Sequence, residues 1–119
     1  MKILIVDDSS VMRRIIKNHL SQLGYNDFID AQDGIDALDK IKDAELIFTD
    51  WNMPNMNGFE FLKKVRSMPE HNNTKIIMVT TESSKFDVID AIKADVTEYI
   101  IKPFTLQSFE EKLKKALVK

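Results

Sequence analysis

The chain has 119 residues, 44% hydrophobic and 30% charged, a balance that supports one folded domain over 1–119 and excludes a disordered chain. With 17 basic against 19 acidic residues the net charge is −2, which argues against a nucleic-acid partner, and the lack of cysteine excludes disulfides and thiolate zinc sites. No apolar run approaches the ~20 residues needed to cross a bilayer, so no membrane partner is expected, and the sequence reads as a cytoplasmic monomer.

In chain order, the first apolar run, Ile3 to Val6, reads as a buried parallel strand. A helical pattern follows, with Val11, Ile15, Ile16, Leu20 and Leu23 on one face, Ser9 or Ser10 as N-cap and Gly24 as the stop. A second strand is predicted around Phe28 and Ile29, then a helix carrying Ile35, Leu38 and Ile41. The third strand covers Leu46 to Phe48, and the helix after Gly58 carries Phe61, Leu62 and Val65 and ends near Pro69. The fourth strand is predicted at Ile76 to Val79, with a helix after Ser83 and Ser84 that carries Val88, Ile89 and Ile92. Tyr99 to Ile101 form the last strand. The last helix is capped by Thr105, and its Glu110 and Glu111 precede Lys112, Lys114 and Lys115, in accord with the helix dipole. His19 falls on the first helix and His71 between the third and fourth units; both are expected at the surface and receive no role.

Strict alternation of strand and helix predicts an α/β fold with helices on both faces of one parallel sheet. Five units without a Gly-rich dinucleotide fingerprint favour a flavodoxin-like, doubly wound five-stranded sheet of order 2-1-3-4-5 with five helices. Ligands of such sheets bind beyond the carboxyl ends of the strands, where the order reverses. At those ends the sequence places Asp7 and Asp8, Asp50, Thr80 and Thr81, and Lys102 followed by Pro103.

Three crowded carboxylates repel one another, and a divalent ion is the natural remedy. An all-oxygen donor set favours Mg²⁺. Lys102 reads as the counter-charge for a phosphoryl group and Thr80 as a hydroxyl donor to its oxygens, so the set amounts to a phosphoryl-transfer site with a carboxylate nucleophile. Which carboxylate attacks is left open by these residues alone.

Four segments in order, I-V-D-D-S-S from Ile5, D-W-N-M-P-N-M-N-G from Asp50, M-V-T-T-E from Met78 and Y-I-I-K-P-F from Tyr99, resemble the bacterial response-regulator receiver, specifically the stand-alone chemotaxis (CheY-like) type. The resemblance implies a phosphorylation-driven signalling switch, an enzyme only toward itself, with Asp50 as phosphate acceptor. It implies Asp8 as a direct Mg²⁺ ligand, Asp7 as a ligand largely through water, and Asp50 with the Asn52 carbonyl completing the protein's share of the metal site. It makes Thr80 the switch hydroxyl, Lys102 the phosphate's ion-pair partner, Tyr99 the aromatic that follows Thr80, and Lys102-Pro103 a cis peptide. An output patch is expected from Tyr99 and Ile101 with Lys85, Val88 and Lys112. The implied partners are a chemotaxis histidine kinase and a flagellar motor switch protein, with a phosphatase compatible as a third.

Two departures stand out: Asp95 occupies a position where the family commonly has Gly and positive φ is expected, and Thr81 replaces a smaller residue. Among rivals, a phosphorelay intermediate would share the site. A flavin carrier would have its phosphate repelled by Asp7 and Asp8. A phosphatase or DNA-binding regulator would need a further domain, for which the predicted elements leave no residues.

Overall fold

A computed structural model describes residues 1–81 and 85–119, and the side chains of all of these except Lys85 and Phe86. Ser83 and Ser84, the predicted approach to the fourth helix, lie outside the described residues. The elements run β1 (Ile3–Val6), α1 (Ser10–Gln22), β2 (Phe28–Ala31), α2 (Gly34–Lys40), β3 (Leu46–Thr49), α3 (Gly58–Arg66), a 3₁₀ turn at Pro69–His71, β4 (Lys75–Thr80), α4 (Lys85–Lys93), β5 (Glu98–Ile101) and α5 (Leu106–Leu117). All strand pairs are parallel, and the order is β2-β1-β3-β4-β5, as expected.

The strands form where Ile, Leu, Val and Phe follow one another because both faces of a parallel sheet are covered, and every residue of β1 and β3 is buried. Side-chain alternation divides them between two cores. Ile3, Ile5, Phe48, Ile77 and Val79 meet Ile16 and Leu20 of α1 and Phe109, Leu113 and Ala116 of α5. Leu4, Val6, Ile47, Ile76 and Met78 meet Ala37 of α2 and Phe61, Leu62 and Val65 of α3. Each fully buried side chain of this size contributes about 1.5–3 kcal/mol relative to exposure.

The helix ends obey local chemistry. Ser9 caps α1 by accepting the Met12 N–H at 3.2 Å, and Thr105 caps α5 by accepting the Ser108 N–H at 3.1 Å. Gly24 follows α1 at φ +97°, the left-handed region that favours glycine.

Several residues assigned to core faces lie elsewhere. Val11 is 59% exposed, Ile15 36%, Ile35 51% and Ile92 65%. Successive helical residues are about 100° apart. Once Ile16 and Leu20 face the sheet, Ile15 and Val11 are turned aside, and Ala37 and Ala91 displace Ile35 and Ile92 in the same way. The histidines also depart from expectation. His71 is buried, its Nδ1 2.8 Å from Thr74 Oγ1. His19 is half-buried against Phe104 and Phe109, with ring centroids 5.6 and 5.3 Å away, and burial lowers its pKa.

Candidate functional site

β1 and β3 are neighbours with Val6 opposite Thr49, so the residues that follow, Asp7 and Asp50, leave the sheet side by side. The ladder continues past the strands: Asp7 donates its N–H to Ala31 O at 3.0 Å, and Asp50 donates its N–H to Val6 O at 2.9 Å. One carboxylate oxygen from each of Asp7, Asp8 and Asp50 lies within 4.8 Å of the other two. Asp7 is buried, whereas Asp8 is exposed to solvent. From the far edge, Lys102 donates its N–H to Thr80 O at 2.9 Å. Its ammonium then reaches across to Asp7 Oδ2 at 3.2 Å and Asp50 Oδ1 at 3.5 Å. Thr80, fully buried, ends the strand lying between those of Asp50 and Lys102. The site residues predicted from strand ends therefore share one edge of the sheet.

The acids are held differently. Asp7 accepts the Ser9 N–H on Oδ1 at 2.9 Å and the Lys102 ammonium on Oδ2, so both of its oxygens are engaged by the protein. Asp50 Oδ1 accepts the Trp51 N–H at 2.7 Å as well as facing Lys102. Burial raises the Asp50 pKa; Lys102 pulls it down, Asp7 pushes it up, and the Trp51 N–H lowers it. Three carboxylates thus face one ammonium, an excess of negative charge in an oxygen-only donor set, which fits a hard dication such as Mg²⁺.

The loop from Asp50 to Asn57 completes the site. Gly58 donates its N–H to Trp51 O at 2.7 Å. A Cβ at Gly58 would lie 1.8 Å from Asp50 O, so only glycine admits this closure. Asn57 caps α3 in a reciprocal box with Glu60. Asn52 is exposed on the loop, two residues after Asp50. Trp51 stacks on Phe59 at 5.2 Å.

The residues expected to form an output patch do not join the acidic cluster. Tyr99 and Ile101 lie on the edge strand β5, Tyr99 half-buried and Ile101 41% exposed. Val88 is half-buried on α4, and Lys112 on α5 pairs with Glu98 at 3.3 Å. Lys85 begins α4, but its side chain lies outside the described residues. Lys102-Pro103 is cis, and Asp95 has φ +68°, both as expected.

Two supports were missed by the sequence reading. Arg13 Nη1 donates to Asp7 O at 2.5 Å, tying α1 to the site, and Asp33 accepts the Asn55 side-chain N–H at 2.7 Å. The Asp-Gly pair at 33–34 was the available signal for the second; nothing local marks the first. A concavity of about 1040 Å³ lies at the opposite edge of the sheet, between Ile41, Met68, His71 and Leu117, and holds none of these groups.

A family model for the response regulator receiver domain matches residues 3–114. The chain belongs to the response regulator receiver domain family. The receiver is 53% identical to the chemotaxis protein CheY homolog of Campylobacter jejuni, over 98% of this chain and 92% of the relative. It is also 53% identical to the chemotaxis protein CheY1 of Helicobacter pylori, over 98% and 97%. Among solved structures it superposes on Vibrio cholerae CheY4 with TM-score 0.88 at 36% identity, over 97% of each chain. A CheY-like receiver domain protein from Methanospirillum hungatei gives 0.86 at 31%, over 98% of this chain and 93% of that one. The receiver is of the CheY type, a signalling switch, and no helix among its described residues is long and apolar enough to cross a membrane.

Proposed function

We propose that the receiver accepts a phosphoryl group on Asp50 from a chemotaxis histidine kinase and thereby changes its affinity for a flagellar motor switch protein. The observation that carries this reading is the Lys102 ammonium, which bridges Asp7 and Asp50 and so stands where a phosphoryl oxygen on Asp50 would need a cation. Both described contacts of Asp50 use Oδ1, which orients Oδ2 for attack. Attack forms an Asp50 O–P bond and breaks the P–N bond of a phosphohistidine, or the P–O bond of acetyl phosphate; the electron pair leaves with the imidazole or acetate. Lys102 then pairs with a phosphoryl oxygen, and the Thr80 hydroxyl donates to another. Asp7, Asp8, Asp50 and the Asn52 carbonyl would hold Mg²⁺, which supplies charge neutralisation at the phosphoryl oxygens when bound.

The relatives named as chemotaxis proteins favour motor output over a phosphorelay intermediate. Acetyl phosphate with Mg²⁺ should label the protein to about one phosphoryl per chain, a mass increase that hydroxylamine removes and Asp50→Asn abolishes. Stoichiometric labelling of the Asn variant would refute the acceptor assignment.

A further inference from the structure

Helix α2 carries none of the proposed ligands, yet its first turn grips the loop that does. Asp33, the N-cap, is 5% exposed and uses its two oxygens separately. Oδ1 accepts the Asp36 N–H at 2.8 Å, the ordinary capping bond, while Oδ2 accepts Nδ2 of Asn55 at 2.7 Å. Gly34 donates its N–H, which has no partner within the helix, to Met56 O at 3.1 Å. A Cβ on Gly34 would lie 2.6 Å from Met56 Cγ, so the missing side chain lets the loop lie against the helix. Asn55 itself sits at φ +68°, a strained setting for most residues that the clip holds in place. Hydrogen bonds to Asp33, led by the one from Asp36 and followed by the one from Asn55, lower its pKa against the opposing effect of burial, which keeps the carboxylate charged.

Asn52 stands between two fixed points, the Gly58 N–H on Trp51 O and this clip at 55–56. We propose that Asp33 and Asn55 are positioning residues for the metal site, setting the loop so that the Asn52 carbonyl faces the cation. The inference rests on the proposed Mg²⁺ site and adds to it a support from an element that contributes no ligand. Partners of this outer kind typically alter metal affinity 10–100-fold when removed.

Asn55→Gly removes the amide but keeps the backbone conformation, and Asp33→Ser keeps a capping oxygen but loses the one that reaches Asn55. Mg²⁺ alone is titrated into each folded protein, and the midpoint of the Trp51 fluorescence change is read. Each variant should bind Mg²⁺ roughly tenfold more weakly than wild type, and the double variant no more weakly than the worse single one, because one contact is lost in all three. Melting in EDTA should show the Asn55→Gly protein still folded. Affinities within twofold of wild type, or losses that add in the double variant, overturn the clip while leaving the metal site standing. A wild type without saturable response to Mg²⁺ overturns both.

Discussion

Burial raises the pKa of Asp50, and although Lys102 and the Trp51 N–H oppose this, Asp7 adds to it, so the net direction is upward from 3.8. The folded state therefore holds the Asp50 proton more tightly than the unfolded chain. Ionisation costs stability above the folded pKa, and that cost is absent below the unfolded one. In EDTA, Asp50→Asn should melt a few degrees above wild type at neutral pH, because Lys102 keeps Asp7 as partner while one half-buried charge is removed. The gain should shrink as pH falls through the folded pKa of Asp50. Equal midpoints at pH 7, or a gain unchanged in acid, would contradict this account of the site's electrostatics. Gly58 marks the opposite extreme, since its constraint is steric and independent of pH.

At the scale of elements, the passage from α4 to β5 carries a cost that can be removed. Asp95 holds φ +68°, where an L-residue pays about 1–2 kcal/mol and glycine almost nothing. The contact that matters there is to the backbone: Arg66 Nε donates to Asp95 O at 2.9 Å. The Asp95 carboxylate, 82% exposed, adds only a 3.7 Å surface pair worth little. Asp95→Gly keeps the first and loses the second. After the entropy cost of glycine in the unfolded chain, a net stabilisation of about 0.5–1 kcal/mol is expected, or roughly 2–5 °C in Tm by calorimetry. A lower Tm would show that the side-chain pair outweighs the backbone strain.

For the whole molecule, the sheet order places the acidic cluster at the junction of β1 and β3 and leaves β5 at an edge, packed against α5. A phosphoryl group can affect a distant partner only by biasing an element with two arrangements. Thr80 and Lys102 connect the site to that edge through the backbone bond between them. Glu98 accepts from Lys112 at 3.3 Å and from Lys119 at 3.2 Å, so the ion pairs lie on the α5 side of the edge strand while Tyr99 and Ile101 alternate to its other side. On the proposed reading, an acidic amphipathic helix of the motor partner would compete for Lys112 while covering the apolar residues. Tyr99→Ala and Lys112→Ala should each weaken binding of such a peptide to the beryllofluoride-activated receiver, about tenfold for Tyr99, with acetyl phosphate uptake unchanged. Binding equal to wild type in both variants would move the output surface elsewhere.

The strand and helix order, the cap at Thr105 and one at Ser9 or Ser10, and the convergence of Asp7, Asp8, Asp50, Thr80 and Lys102 were legible in the sequence alone. These depend on local periodicity and on one topological rule about strand ends. Resemblance singled out Asp50, a choice the residues did not make by themselves. Other features were decided by tertiary structure. Helix rotation exposed Val11, Ile15, Ile35 and Ile92, because periodicity defines an apolar stripe without saying which part of it meets the sheet. His71 became buried against Thr74, and Asp33 met Asn55 across 22 residues of chain. Such pairings follow from strand register and loop closure, which bring together residues whose separation in sequence carries no periodic signal.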